Sequence, residues 1–427
     1  MRVLLINQVF WPDVAATAQH ADDLARHLAE HGHEVHAIAS RSVYGKKGAA
    51  LPKRETISVD GADHPINVHR VGQSLFGKAS IAARALDFGL FYLAATAKAL
   101  TVKKPDAVVC FTTPPFIALL GWFIRLTRGS AFVYWLMDMY PDVAVACGVM
   151  KPASPMTRFF EAVNRFCLRK ADATVVLGRC MKQRVLDKGI DPKTVHHIGV
   201  WSEPAEVSPA PRADNPYRQE WDLGDRFVVM YSGNFGLGHD VHTMLDAAKK
   251  LRDNNAVRFL FVGGGKKKPI VEAFVRDHGL TNCTLADYQP RENLGSSLSV
   301  ADLHLASILS GVEGLVVPCK LFGIMAAERP CAFIGSADSE LSRVLAENDA
   351  GFTVPEGDSD ALVGIILDLA ERPERAAELG ANARAALASA YSREHACEQW
   401  RTLLESVAHA TDAPDAIQDA HAPRSTP

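Results

Sequence analysis

The sequence predicts an α/β protein built from two Rossmann-like, doubly wound parallel-sheet domains that face each other across a cleft. Three observations carry this. Short apolar runs rich in β-branched residues alternate with helical patterns, as parallel strands covered on both faces require. The alternation stops in a stretch rich in Pro, Glu and Ala over 201–219, and then restarts. The restart carries a glycine-rich segment, Tyr231-Ser-Gly-Asn-Phe-Gly-Leu-Gly-His-Asp240, between an expected strand and an expected helix.

In chain order, Val3–Ile6, Val35–Ala39, Ala107–Phe111, Ala131–Leu136 and Ala173–Leu177 read as strands of the first sheet. Between the first two, Ala18, Ala21, Leu24, Ala25 and Leu28 fall on one face of a helix over Thr17–Glu30, which His31-Gly32-His33 ends. Phe227–Tyr231, Arg258–Val262, Cys283–Leu285, Leu303–Ala306 and Ala332–Gly335 form the second set. Helices are expected at Val241–Leu251, Ala361–Arg372, Glu374–Ser389 and Glu394–Ala408. The expected division is 1–200 for the first domain, 201–222 for a linker and 223–393 for the second domain. A terminal helix over 394–410 packs back on the first domain, and the polar tail 411–427 is expected to be disordered.

A chain of 427 residues is long enough for two full cores. Its net charge of −3 hides an asymmetry. Residues 1–200 hold 25 Lys+Arg against 16 Asp+Glu, and residues 201–427 hold 21 against 33. A first half at +9 suits an anionic partner such as a membrane surface or a phosphorylated lipid; unselected surface variation explains it equally well. Met156–Lys170 and Ser80–Leu100 are amphipathic, with Phe159, Phe160, Val163, Phe166 and Cys167 near one face of the former. Peripheral contact with an anionic membrane is therefore expected, against the commoner reading of a core-packing helix. No apolar run approaches the length of a bilayer span, and Met1–Asn7 reads as a strand and not a signal peptide. Eight scattered cysteines show no paired spacing and read as buried thiols in a reducing compartment.

A glycine turn between strand and helix gathers backbone N–H groups at a positive helix end, where a phosphate fits. Gly233, Asn234 and Gly236 permit close backbone approach, and Gly263–Gly265 offers a second such turn before Lys266, Lys267 and Lys268. Lys320 stands at the start of another helix, placed to meet a diphosphate. At least two of the three consecutive lysines read as solvated surface.

Several ordered segments together give the chain a resemblance to retaining glycosyltransferases of family 4, with the two-domain GT-B fold. These are Phe10-Trp-Pro-Asp13 with Leu28-Ala-Glu-His-Gly-His-Glu-Val35, Asp138-Met-Tyr-Pro-Asp142, Tyr231-Ser-Gly-Asn234, Phe261-Val-Gly-Gly-Gly265 and Pro318-Cys-Lys-Leu-Phe-Gly-Ile-Met-Ala-Ala-Glu-Arg-Pro330. The resemblance covers about 1–408, and in more detail the chain is similar to bacterial enzymes of exopolysaccharide and O-antigen assembly, of the colanic-acid type. It implies a nucleotide-diphosphate sugar bound mainly by the second domain, and a saccharide acceptor, carried on a lipid diphosphate, at the first. It further implies retention at the anomeric carbon, a hexosyl or N-acetylhexosaminyl group, a cytoplasmic setting, no cofactor and no metal in the cleft.

By the same resemblance the donor set is Gly233, Asn234, Phe235, Gly236, His239, Gly264, Tyr288, Arg291, Glu313, Cys319 and Leu321, with Lys320 acting on the departing phosphate. Asp138 binds or orients the acceptor hydroxyl; its plain alternative is a turn or cap residue beside Pro141. Trp11, Ala15, Ala16, Thr17 and His20 form the opening loop. The chain departs from the family pattern in having Asn234 and His239 where many relatives carry Arg and Lys. Ala15-Ala16 replaces a glycine pair, Gly323 stands for the second donor glutamate, and Glu313 sits two residues from the expected place of the first. A nucleotide-sugar epimerase on the same fold, or a nucleotide-sugar-binding protein without catalysis, are the competing readings.

Overall fold

The computed structural model describes residues 1–13, 15–43, 50–73, 81–202 and 207–412, with backbone alone at 81–85, 291 and 412. The first sheet has eight strands: β1 (Arg2–Ile6), β2 (Glu34–Ser40), β3 (Arg54–Ile57), β4 (Ile66–Val71), β5 (Ala107–Cys110), β6 (Ala131–Leu136), β7 (Ala173–Val176) and β8 (Val195–His197). Their order is β3-β4-β2-β1-β5-β6-β7-β8, all parallel except β3 against β4. The second sheet has six parallel strands: β9 (Phe227–Asn234), β10 (Val257–Gly264), β11 (Cys283–Ala286), β12 (Leu303–Ser307), β13 (Cys331–Ile334) and β14 (Gly351–Val354), in the order β11-β10-β9-β12-β13-β14. The second sheet, and the first from β4 to β7, thus carry the 3-2-1-4-5-6 order of a doubly wound fold.

The helices fall between the strands. In the first half they are α1 (Ala16–Glu30), α2 (Ile81–Thr101), α3 (Ala118–Arg128), α4 (Asp142–Ala146), α5 (Pro155–Lys170) and α6 (Arg179–Asp187). In the second they are α7 (Pro216–Glu220), α8 (His242–Lys250), α9 (Lys268–Asp277), α10 (Leu294–Ser299), α11 (Lys320–Ala326), α12 (Glu340–Glu347), α13 (Ser359–Glu371), α14 (Pro373–Ala390) and α15 (Arg393–Asp412). Fully buried strands such as Ala131–Leu136 and Ala107–Cys110 are covered on both faces, as their unbroken apolar runs require.

Strands β3, β4, β8 and β14 go beyond the expected set. Strand β3 alternates exposed with half-buried residues and β4 buried with half-buried ones, and both include charged residues, so neither has a continuous apolar run to read. Within the expected linker, α7 forms, and Tyr217 and Trp221 pack with Leu223, Val228 and Val262 under the second sheet. Of the expected tail, 411–412 belong to α15, and 413–427 lie outside the described residues.

The terminal helix α15 returns to the first domain and packs on α1 and β6. Its Trp400 is fully buried, with its ring 4.3 Å from that of Trp135 on β6. Trp201, at the crossing between the domains, lies 5.7 Å from Trp135 and donates from Nε1 to Asp23 Oδ2 at 2.9 Å. This aromatic stack is the hinge, and large buried aromatics make it stiff.

Candidate active site

In doubly wound sheets the ligand crevice lies beyond the carboxyl ends of the strands, where the strand order reverses. In the second sheet that point is between β9 and β12. Strand β9 runs through the glycine segment to Asn234, and β10 runs beside it to Gly264, with Gly233 paired to Gly263. Both of these glycines have a φ of +125°. A Cβ at Gly263 would stand 2.1 Å from the Gly233 carbonyl oxygen, and one at Gly233 would stand 2.8 Å from Lys320 Cε. Only glycine fits either place.

Lys320 is the first residue of α11. Its ammonium donates to the Tyr231 hydroxyl and, at 3.0 Å, to the Asn234 carbonyl, and it lies 4.1 Å over the Tyr231 ring. Desolvation pushes its pKa down to about 7. A half-buried lysine with no carboxylate partner among the described residues, over a glycine segment, suits an incoming anion. The N–H groups of Gly236, Leu237 and Gly238 have no partner among the described residues either, and they follow directly on β9.

The free helix end expected after this segment does not exist. Asp240 caps α8, accepting from His242 N at 3.0 Å and Thr243 N at 3.2 Å. A carboxylate there satisfies two of the orphan donors and repels a phosphate. In the free protein His239 is held as a neutral ring. Its Nδ1 donates to the Ser307 carbonyl at 2.5 Å, and burial, with Lys320 and Lys267 nearby, pushes its pKa down to about 3. The remaining Nε2 of a neutral ring accepts and cannot donate.

Phe235 and Leu321 are fully buried, so neither side chain reaches a ligand; Phe235 takes part only through its backbone, which pairs with Gly264 and Lys267. Tyr288 is 59% exposed and donates to the Gly264 carbonyl at 3.2 Å, covering the second glycine turn. Cys319 is exposed beside Lys320. Lys267 and Lys268 are tied down, to the His239 carbonyl at 2.5 Å and to Asp287 at 2.6 Å, while Lys266 is exposed. The side chain of Arg291 lies outside the described residues.

On the facing domain, Asp138 follows β6, and its N–H donates to Thr112 Oγ1 at 3.3 Å beyond the end of β5. Its carboxyl is half-buried, and desolvation raises its pKa to about 6. The next residue joins the domains directly: Met139 N donates to Leu315 O at 2.9 Å, in the loop that leads to Lys320. Sequence reading missed the neighbours that hold this contact. Arg184 of α6 donates from Nε to the Glu313 carbonyl at 2.7 Å, and Gly314 lies so close that a Cβ would stand 2.8 Å from Cys180 O. Glu313 itself turns to this joint, with Oε2 buried and 4.0 Å from Arg184 Nη2. Lys188 Nζ bridges Asp142 and Glu161 at 2.9 Å, fixing the segment after Asp138. Arg179, at the start of α6, pairs with Glu340 of the second domain.

The opening loop is only partly at the crevice. Trp11 is 39% exposed, and its carbonyl accepts from Arg70. Ala15 caps α1 without a side-chain bond, Ala16 and Thr17 are half-buried in the first turn, and Asn7 Nδ2 contacts the Thr17 carbonyl at 3.4 Å. His20 departs from expectation. It is buried against Trp201, with ring centroids 4.5 Å apart, so it belongs to the hinge.

Two family models match successive parts of the chain: "Glycosyl transferase 4-like domain" over residues 16–201 and "Glycosyl transferases group 1" over 214–386. The chain is a two-domain glycosyltransferase of this family. The transferase is 28% identical over 319 residues to the "Probable glycosyltransferase WbjE" of Pseudomonas aeruginosa, covering 74% of this chain and 77% of that one. It is 25% identical over 380 residues to the "Putative colanic acid biosynthesis glycosyl transferase WcaI" of Escherichia coli, covering 86% and 91%. Among solved structures it resembles Anabaena Alr3699/HepE in complex with UDP and glucose, with a TM-score of 0.70 at 15% identity, covering 95% of this chain and all of that one. The two parallel-sheet domains are those of the GT-B fold. No helix among the described residues of the transferase is long and apolar enough to cross a membrane.

Proposed function

We propose that this glycosyltransferase moves a hexosyl or N-acetylhexosaminyl group from a nucleotide-diphosphate sugar to a saccharide hydroxyl with retention at the anomeric carbon, in the assembly of a cell-surface polysaccharide. The observation that carries the reading is Lys320, held against Gly233, which pairs with Gly263, at the strand-order reversal. The diphosphate lies there, against Lys320 and the amides of Gly236–Gly238. The bond between the anomeric carbon and the phosphate oxygen breaks as the acceptor oxygen bonds to the same face of that carbon. The acceptor proton passes to the departing phosphate oxygen. Charge gathers on that phosphate in the transition state, so a fixed ammonium and fixed amides lower the barrier more than they tighten ground-state binding. Asp138 accepts a hydrogen bond from the acceptor hydroxyl and orients it.

The acceptor is read as lipid-diphosphate-linked, and the enzyme as lying on the inner face of the cytoplasmic membrane. Leu86, Leu90, Leu93 and Leu100 of α2, Leu126 of α3, and Met156 and Phe159 of α5 are exposed apolar residues of the basic first domain. Most of the expected apolar stripe of α5 packs inward: Phe160 stacks on Phe116, Phe166 meets Trp122, and Cys167 is buried. Incubation of the protein with a panel of nucleotide sugars and polyprenyl-diphosphate-linked sugars tests the reading. It requires nucleoside diphosphate release that depends on the acceptor, and a product with the donor's anomeric configuration. Isomerised donor, inverted product or binding without turnover would contradict it.

A further inference from the structure

The interface between α1 and the terminal helix α15 holds a cluster that glycosyl transfer does not use. His27 and His31 stand one turn apart on α1, with ring centroids 4.2 Å apart. Glu398 reaches them from α15. One ligand atom of each residue lies within 4.8 Å of the others. His27 is almost fully buried, and Glu398 and His31 are open to the edge of the interface.

The geometry points to a divalent transition-metal site, of the zinc type, formed by His27, His31 and Glu398 and clasping the terminal helix to the first domain. His27 Nε2 and Glu398 Oε2 are 3.4 Å apart. That is long for a charged hydrogen bond, but two ligands of one tetrahedral zinc at about 2.0–2.1 Å stand roughly 3.3–3.4 Å apart. His31 donates from Nδ1 to the His27 carbonyl at 2.8 Å, which leaves its Nε2 lone pair for a metal. A ligating histidine is typically fixed in this way by its other nitrogen. Glu398 is oriented by Arg401, which donates to Oε1 at 2.5 Å and to Oε2 at 2.9 Å. Coordination therefore shares or replaces the second of these bonds. A second carboxylate stands beside the cluster, with Glu394 Oε2 3.7 Å from His27 Nδ1. An approach exists: Glu394 and Glu398 border a concavity of about 940 Å³ between β8 and the corner of α14 and α15. A water completes a three-ligand tetrahedral site.

The site joins residues 371 positions apart, one on α1 and one on the returning terminal helix, so an ion that binds only the docked arrangement stabilises it by mass action. The test is titration of chelator-treated full-length protein with zinc chloride, read by calorimetry and by thermal unfolding. One ion per chain and a melting temperature higher by about 2 °C or more are expected. His31→Ala and Glu398→Gln should each weaken binding at least about tenfold. Neither should change the melting temperature of the metal-free protein by more than about 2 °C, because His31 is exposed and Glu398 is half-buried at the edge of the interface. Wild type that binds no zinc, or variants that bind it as wild type does, would overturn the site. Nucleotide-sugar turnover plays no part in this readout, so the proposal stands or falls apart from the assigned activity.

Discussion

Replacing Lys320 by Met removes the ammonium and keeps most of the stem, and its consequences can be worked out from the site. In the free protein desolvation pushes the Lys320 pKa down to about 7, and among the described residues its ammonium hydrogen-bonds to the Tyr231 hydroxyl and the Asn234 carbonyl. A bound diphosphate supplies the missing counter-charge and raises that pKa. Below about pH 7 the lysine is protonated in both states, and binding takes up no proton. Above it, binding must take up one, so wild-type affinity falls by up to tenfold per pH unit until the pKa of the complex is reached. A nucleotide sugar is the right probe, since its diphosphate has no proton to gain or lose in this range. Losing one charge-assisted hydrogen bond costs about 1.5–3 kcal/mol, or roughly 10- to 150-fold in affinity below pH 7. If the same ammonium meets the developing charge, kcat falls by a further factor on the order of 10²–10³. Calorimetry at several pH values measures the first effect and single-turnover kinetics the second. The reasoning is refuted if wild-type affinity stays flat from about pH 6 to 9, or if Lys320→Met keeps wild-type affinity and rate.

Asp138→Asn should slow transfer by about 10- to 100-fold and remove a rate loss that wild type shows as pH falls below about 6, where its raised pKa protonates the carboxyl; a pH–rate profile of both proteins checks this. Gly263→Ala forces a methyl against the Gly233 carbonyl, so it should abolish nucleotide-sugar binding and lower the melting temperature, as calorimetry and thermal unfolding will show. Arg184→Met loosens the joint between Asp138 and the Lys320 loop; kcat should drop by about 10- to 100-fold with nucleotide affinity unchanged, and equal losses in both would argue for simple destabilisation. Flotation with anionic liposomes should carry wild type at low salt and lose a Leu93→Ser, Phe159→Ser double variant; no flotation of wild type would remove the membrane contact.

The parts of the fold legible in the sequence are those with local signals. Unbroken apolar runs such as Phe259–Val262 and Ala131–Leu136 could only be covered strands, and two sets of them required two sheets. Strands β3 and β4 escaped because half-exposed residues such as Arg54 and Glu55 have no such run, and β8 has only three residues. Within the site, Gly233 and Lys320 were readable by residue type and position, and the structure places them in contact distance. Asp240 was readable too: an Asp just before an amphipathic run is a cap, and weighing it would have withdrawn the helix end from the phosphate. The inter-domain joint was not readable. Arg184 and Glu313 are 129 residues apart and meet only once both sheets have formed. His20 shows the opposite failure, since a polar residue just after the opening loop looks like a ligand until Trp201 packs against it in α1.

The most direct measurement is a crystal structure of the protein with a nucleotide sugar or nucleoside diphosphate bound. Diphosphate oxygens should lie within about 3 Å of Lys320 Nζ and of amides in Gly236–Gly238, with the sugar facing Asp138. A nucleotide seated elsewhere, for instance in the hinge concavity beside His196 and Glu394, would contradict this placement.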